Sequence, residues 1–281
     1  MFSCIWLYWH FSTTLLTYLF RSHPLSHIHT HSHEDSVFVL AQAGEYIGPK
    51  AIEEYVKFSD ANFNQFWSPI EGGIDNNGLV AEERKYLGFQ DGICSFSRNI
   101  VREYLVSEEG NGDRFYVSAA AKLYFDYSQR YFTRFNLYYP TPFLEYSLGT
   151  AIPADAAANF ICSVLSSTEC ENVLGPAPTD CLAQVAALPV AEGEGIYVDS
   201  DSRACRILHA ELSLQDPALH CPHVSLTPMA DSNGKVKCQV SEQIQVSDLF
   251  SEAEIEEFNT FASANGVDPT EGYKLIEAGG N

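Results

Sequence analysis

The chain has 281 residues, 46% of them hydrophobic and 13% aromatic, which is enough to bury a full core and to divide into two domains. Its formal net charge is −21, with eleven basic against seventeen acidic residues up to position 150 and five against twenty beyond it. That balance excludes the basic surface that nucleic acid or anionic lipid requires, most firmly in the second half.

In chain order, residues 1–20 (MFSCIWLYWHFSTTLLTYLF) are apolar and aromatic enough for a signal peptide or an anchor, although no basic n-region precedes them and no A-x-A-like site follows. Ser12, Thr13, Thr14 and Thr17 weaken a bilayer span, so no stable membrane span is expected in the mature chain. His23, His27, His29, His31 and His33 come next in a polar segment, without the packing that fixes a metal geometry. Residues 1–35 therefore read as a signal-like or disordered His-rich N-terminus.

Val37 to Leu40 is a short run rich in β-branched and aromatic residues, and predicts a strand. Gly44 and Gly48 let the chain turn twice within five residues. Pro49 then opens an amphipathic helix whose Ala51, Ile52, Tyr55, Val56 and Phe58 recur near helical spacing. Phe63, Phe66 and Trp67 suit a second short helix, followed by a loop through Gly72-Gly73 and Asp75 to Gly78. From Gly92 the chain reads as strands, Ile93–Leu105 and then Phe115–Tyr139 with at least one turn or bulge. Alternation between Lys122 and Tyr138 puts Leu123, Phe125, Tyr127, Tyr131, Phe135 and Leu137 on one face. Lys122, Tyr124, Asp126, Ser128, Arg130, Arg134 and Asn136 fall on the other.

The phrase Gly44-Glu-Tyr-Ile-Gly48-Pro-Lys-Ala-Ile52 resembles the "G, aromatic, G, x, x, A-I" turn of nuclear transport factor 2-like proteins, a cone-shaped α+β fold shared with SnoaL-like proteins. The resemblance covers residues 36–150. It implies a strongly curved antiparallel sheet wrapped around helices, with a small-molecule pocket for which Tyr46, Tyr55, Phe96 and Tyr104 are candidate lining residues. Such cones normally carry a helix ahead of the first strand, and residues 1–34 do not look like one. Related cones run isomerase, dehydratase and cyclase chemistry from a pocket carboxylate. With the mixed face turned inward, Asp126 would be a general base whose pKa burial raises, and Tyr124, Arg130 and Arg134 would stabilise an oxyanion or bind a carboxylate. The competing expectation is that this face is solvated or packed under helices. No histidine lies in residues 36–150, which rules out histidine-dependent versions of the chemistry there.

Composition changes near residue 150. Residues 151–281 form an acidic, cysteine-rich domain, predicted to hold a helix over Ala154–Leu165, a proline-rich loop at Gly175 to Pro178, and a short helix over Asp180–Leu188. Cys162, Cys170, Cys181, Cys205, Cys221 and Cys238 are most simply disulfides of an exported or luminal protein. Their fifteen pairings stay open, save that a two-residue hairpin at Asn233-Gly234 sets Cys238 opposite Met229 and Cys221 opposite Val246, too far apart to bond each other unless Pro222 or Pro228 bends that strand away. His209, His220 and His223 beside Cys205 and Cys221 offer a zinc or copper site as the alternative to disulfides with structural histidines. The end is a capped helix, Ser251-Glu-Ala-Glu254 with an apolar stripe at Ile255, Phe258 and Phe261, stopped at Asn265-Gly266.

No P-loop, dinucleotide fingerprint or nucleophile elbow occurs, so no cofactor is called for. The first reading of function is binding of a small apolar or aromatic ligand. A cofactor-independent lyase or isomerase is the second and a metal-binding protein the third. The sequence leaves open whether the protein is an enzyme and whether it forms a homodimer.

Overall fold

A computed structural model describes residues 32–41, 44–53, 67–69, 78–106, 114–140, 143, 153–190, 201–227, 229–232, 234, 236–238 and 244–276. The chain forms two compact units: residues 1–41, 45–143 and 245–281 make one, residues 42–44 and 144–244 the other. The sequence reading had placed everything after residue 150 in one domain.

The first unit is built on a curved, mostly antiparallel sheet with strands β1 (Val37–Leu40), β2 (Gly44–Ile47), β3 (Trp67–Pro69), β4 (Leu79–Gln90), β5 (Ile93–Val106), β6 (Arg114–Asp126), β7 (Tyr131–Tyr138) and β8 (Tyr273–Ile276). Its order is β2-β1-β7-β6-β5-β3, with β4 on β5 and β8 on β6. Only β1 on β7 is parallel among the described pairs, with Phe38 beside Phe135 and Leu40 beside Leu137. Bulges between Leu79 and Ala81, between Tyr86 and Gly88 on β4, and after Tyr124 on β6 bend the ladder. The predicted β1 forms, and both glycines after it take positive φ, 129° at Gly44 and 82° at Gly48. Gly48 donates its N–H to the Ser36 carbonyl, and a Cβ there would meet the Glu34 carbonyl oxygen at 3.2 Å. A helical segment begins at residue 48 as expected.

Two elements differ from expectation. Trp67–Pro69 is a strand on β5 rather than part of a helix; Phe63 and Phe66 lie outside the described residues. Leu79–Gln90, read as neither helix nor strand, is a long strand. Its charged run Glu82-Glu-Arg-Lys85 lacks apolar alternation because its charges find partners in the fold: Glu82 pairs with Arg98 across the ladder and with Arg84 beside it, and Lys85 with Glu257.

One face of the sheet is aromatic. Phe38, Phe96, Phe115, Phe125 and Phe135 are buried on it, with Phe38 stacked on Phe135 at 5.4 Å. On the opposite face lies helix α7 (Glu252–Ala264), whose Ala262 packs with Val101 and Val267. Ser251 and Glu254 form the capping box, and Val267 N–H returns to the Ala262 carbonyl at the other end, with Gly266 at φ 77°. Lys122 and Lys85 on that face pair with Glu254 and Glu257, each at 2.8 Å. The polar alternation of β6 is thus partly roofed by a helix.

The second unit contains α1 (Ala154–Leu165), α2 (Thr168–Leu174), α3 (Cys181–Ala187), α4 (Arg203–Ser213) and α5 (Pro217–Val224); the short α6 (Val246–Leu249) precedes α7 in the first. Helix α1 buries Ala157, Ala158, Ile161, Val164 and Leu165. Ser167, Ser202 and Asp216 cap α2, α4 and α5 by accepting from the backbone N–H three residues on. Disulfides join α1 to α3 (Cys162–Cys181), α2 to α5 (Cys170–Cys221) and α4 to the segment after it (Cys205–Cys238). Cys94 is also disulfide-bonded. The expected separation of Cys221 from Cys238 holds for a different reason: residues 217–224 are helical, with Pro217 at its first turn, not a strand facing Val246. The hairpin register is also offset by one, since Ala230 bridges Val236 and the Asp231 carbonyl accepts from Gly234 N–H. No described helix is long and apolar enough to cross a membrane.

Candidate functional site

The aromatic face of the first unit carries charged side chains that its apolar neighbours do not suggest. On β4, Glu82 stands opposite Ile100 and Arg84 opposite Arg98. On β5, Arg102 follows on the same face, opposite Val117. The Glu82 carboxylate holds Arg98 through Oε1 and Arg84 through both oxygens, with Arg84 Nη2 to Oε2 at 2.7 Å. Arg98 is 5% exposed and Arg102 1%, while the side chains of Glu82 and Arg84 keep 13% and 15%. Burial pulls the Arg98 guanidinium down to about 10, with Arg84 and Arg102 adding to the fall and Glu82 opposing it. It stays charged at neutral pH. Ionised groups retained on an apolar sheet face carry a desolvation cost that packing alone would remove.

Aromatic side chains surround this group. Tyr104 stacks on Phe115 at 5.6 Å, Phe143 lies 6.4 Å from Phe115, and Tyr86 meets Phe96 at 5.6 Å. Of the expected pocket residues, Phe96 and Tyr104 are therefore on this face, and Tyr46 stacks on Phe38 at 5.8 Å. Tyr55 lies outside the described residues.

The expected catalytic set falls elsewhere. Lys122, Tyr124 and Asp126 alternate away from Phe125, onto the side of the sheet that Glu254 of α7 covers at Lys122. Asp126 ends β6, and its carboxylate accepts from Gln129 N–H, Ser128 Oγ and Ser128 N–H at 3.0, 2.7 and 2.8 Å. Those bonds hold it below its usual range, whereas a general base needs the reverse. Arg130 occupies the same turn at φ 63°, and Arg134 bonds Asn136 Oδ1 at 2.9 Å and faces Glu45 at 3.6 Å. A short turn that must saturate its own backbone donors explains the placement of Asp126. The bulge after Tyr124 shifts the alternation, so Phe132 rather than Tyr131 lies opposite Phe125, and Tyr127 is exposed.

In the second unit the three histidines come together. His209 on α4 and His220 and His223 on α5 are 3%, 5% and 2% exposed. His209 Nδ1 lies 3.1 Å from His220 Nδ1, and one ring nitrogen of each falls within 4.8 Å of the others. His223 Nε2 is 3.4 Å from the carboxylate of Asp231, a residue the sequence reading did not include. Burial, then Lys237 and the other two rings, lower the His209 pKa well below its usual value, so that ring is neutral. Cys205 and Cys238 also lie within 4.8 Å of His209, but their sulfurs are spent on each other, as those of Cys170 and Cys221 are.

No family model and no curated protein matches the chain. Among solved structures it is similar to a candidate polyketide cyclase of Xanthomonas campestris pv. campestris, at 18% identity and a TM-score of 0.28, over 42% of this chain and 78% of that one. It is also similar to a phenazine biosynthesis-related protein of Pseudomonas aeruginosa, at 11% identity and a TM-score of 0.31, over 53% of this chain and 88% of that one. Likenesses at that level leave the function to be argued from the residues.

Proposed function

We propose that the first unit is a binding module of the nuclear transport factor 2-like kind, taking a small molecule with an apolar or aromatic body and an anionic end. The observation that carries this reading is the Glu82, Arg84, Arg98 and Arg102 group set into an aromatic sheet face. The rings of Tyr104, Phe115 and Phe96 supply area for the body, and a guanidinium fork matches a carboxylate or sulfonate. On the described part of this face Glu82 is the one carboxylate, and it is engaged by two guanidinium groups. That favours binding over proton abstraction. Three disulfides in the second unit support export to an oxidising compartment.

The test is a fluorescence titration of the full chain with 8-anilinonaphthalene-1-sulfonate, an aromatic body with one anionic group. Saturable one-to-one binding is expected, weakened about tenfold in Arg98→Gln, the loss of one charge-assisted contact. Equal affinity of the variant would make the buried ion network a structural feature of the sheet and end the proposal.

A further inference from the structure

The geometry points to a zinc site in the second unit, with His209, His220 and His223 as its ligands. It is independent of the ligand site proposed for the sheet. Two helices deliver three groups to one buried point, His209 from α4 and His220 and His223 from α5, with one ring nitrogen of each within 4.8 Å of the others, and the Asp231 carboxylate stands beside His223. Ligands about 2.0–2.1 Å from a tetrahedral zinc lie roughly 3.3 Å apart along each edge. The measured edge between His209 and His220, 3.1 Å, is close to that value.

The His209 and His223 rings approach to 4.5 Å, edge to face, which is how imidazoles crowd when their nitrogens converge on one point. The second nitrogen of His209 is also buried and has no hydrogen-bond partner among the described residues. Three mutually packed rings would be a costly way to fill a core on their own.

Donor chemistry selects the metal. With Cys205 and Cys238 bonded to each other, the site offers three imidazoles and no thiolate, a donor set that suits zinc. The disulfides hold the ligands in place before metal arrives, because Cys221 sits between His220 and His223 while Cys205 lies one turn before His209.

The experiment is zinc analysis by plasma mass spectrometry on the full chain secreted into zinc-supplemented medium, with X-ray absorption at the zinc edge. One zinc per chain is expected. It should survive replacement of His23, His27, His29, His31 and His33 by Asn, which removes the N-terminal histidine tract as a source, and fall below about 0.1 per chain in His209→Asn. The absorption spectrum of the wild-type protein should show only nitrogen and oxygen neighbours near 2.0–2.1 Å. A sulfur shell near 2.3 Å, or wild-type protein with all six cysteines bridged and no stoichiometric zinc, would overturn the assignment. The wild-type spectrum and stoichiometry decide the matter even where the variant does not fold.

Discussion

Glu254 serves two structures at once, and replacing it with Gln separates them from the rest of the fold. Its carboxylate accepts from Ser251 N–H at 2.8 Å and Ser251 Oγ at 2.9 Å, closing the cap of α7, and it takes Lys122 Nζ at 2.8 and 3.0 Å, pinning that helix to β6. Gln keeps an amide oxygen that accepts at the cap, so the variant should lose chiefly the ion pair, about 0.5 kcal/mol after solvent screening, at neutral pH. Burial pushes the Glu254 carboxyl up, but the bonds from Lys122 and Ser251 outweigh it and leave the group below its usual 4.5. A carboxyl lowered by folding contributes stability that is present above its unfolded value and is lost as pH falls through the folded one. Lys122, raised by the same pair against the pull of burial, loses its share only above its usual 10.5. Urea unfolding followed by circular dichroism at pH 7 and pH 3 should therefore show a gap between wild type and variant that closes in acid. A gap that persists unchanged at pH 3 would refute the electrostatic account, and no gap at pH 7 would refute the docking of α7 through this residue.

Other consequences follow from the same structure. By the chain-entropy rule, replacing Cys170 and Cys221 with Ala, which opens a 51-residue span, should cost about 4 kcal/mol, against about 3 kcal/mol for the 19-residue span of Cys162 and Cys181. Guanidinium unfolding gives the order, and the reverse order would contradict it. Gly48→Ala forces an L side chain to φ 82° with its Cβ 3.2 Å from a carbonyl oxygen, and should cost about 1–2 kcal/mol in a thermal melt. Asp126→Asn should leave binding of the sulfonate probe within about twofold, because a surface turn away from the aromatic face carries no binding energy. A tenfold loss would return Asp126 to the site.

Legibility in the sequence varied with the range of the interaction concerned. Elements fixed by local chemistry were readable: β1 and the glycines after it, the helix over Ala154–Leu165, and the capping box of α7. That six cysteines bond was readable from composition, while their partners depend on which helices pack. Strand β4 was hidden because its charged residues take partners that only the fold supplies, Arg98 across the ladder for Glu82 and Glu257 of α7 for Lys85. The group at Glu82 and Arg98 was hidden for the same reason, since nothing at positions 82 or 98 signals burial before the sheet is assembled. Asp126 drew attention through alternation, yet alternation gives only parity, and which face receives α7 is settled by residues more than a hundred positions away. The three histidines were visible as a cluster because two lie three apart and the third precedes them by eleven. Asp231 required the helix at Pro217–Val224, where the sequence had suggested a strand.

The most direct test of the binding account is a crystal structure of the secreted chain soaked with 8-anilinonaphthalene-1-sulfonate. The account predicts the sulfonate within hydrogen-bond distance, about 2.7–3.2 Å, of the Arg98 or Arg84 guanidinium, with the rings against Phe96 and Tyr86, two residues along the same strands. Probe density confined to any other part of the molecule, with the Glu82 and Arg98 pair untouched, would contradict it.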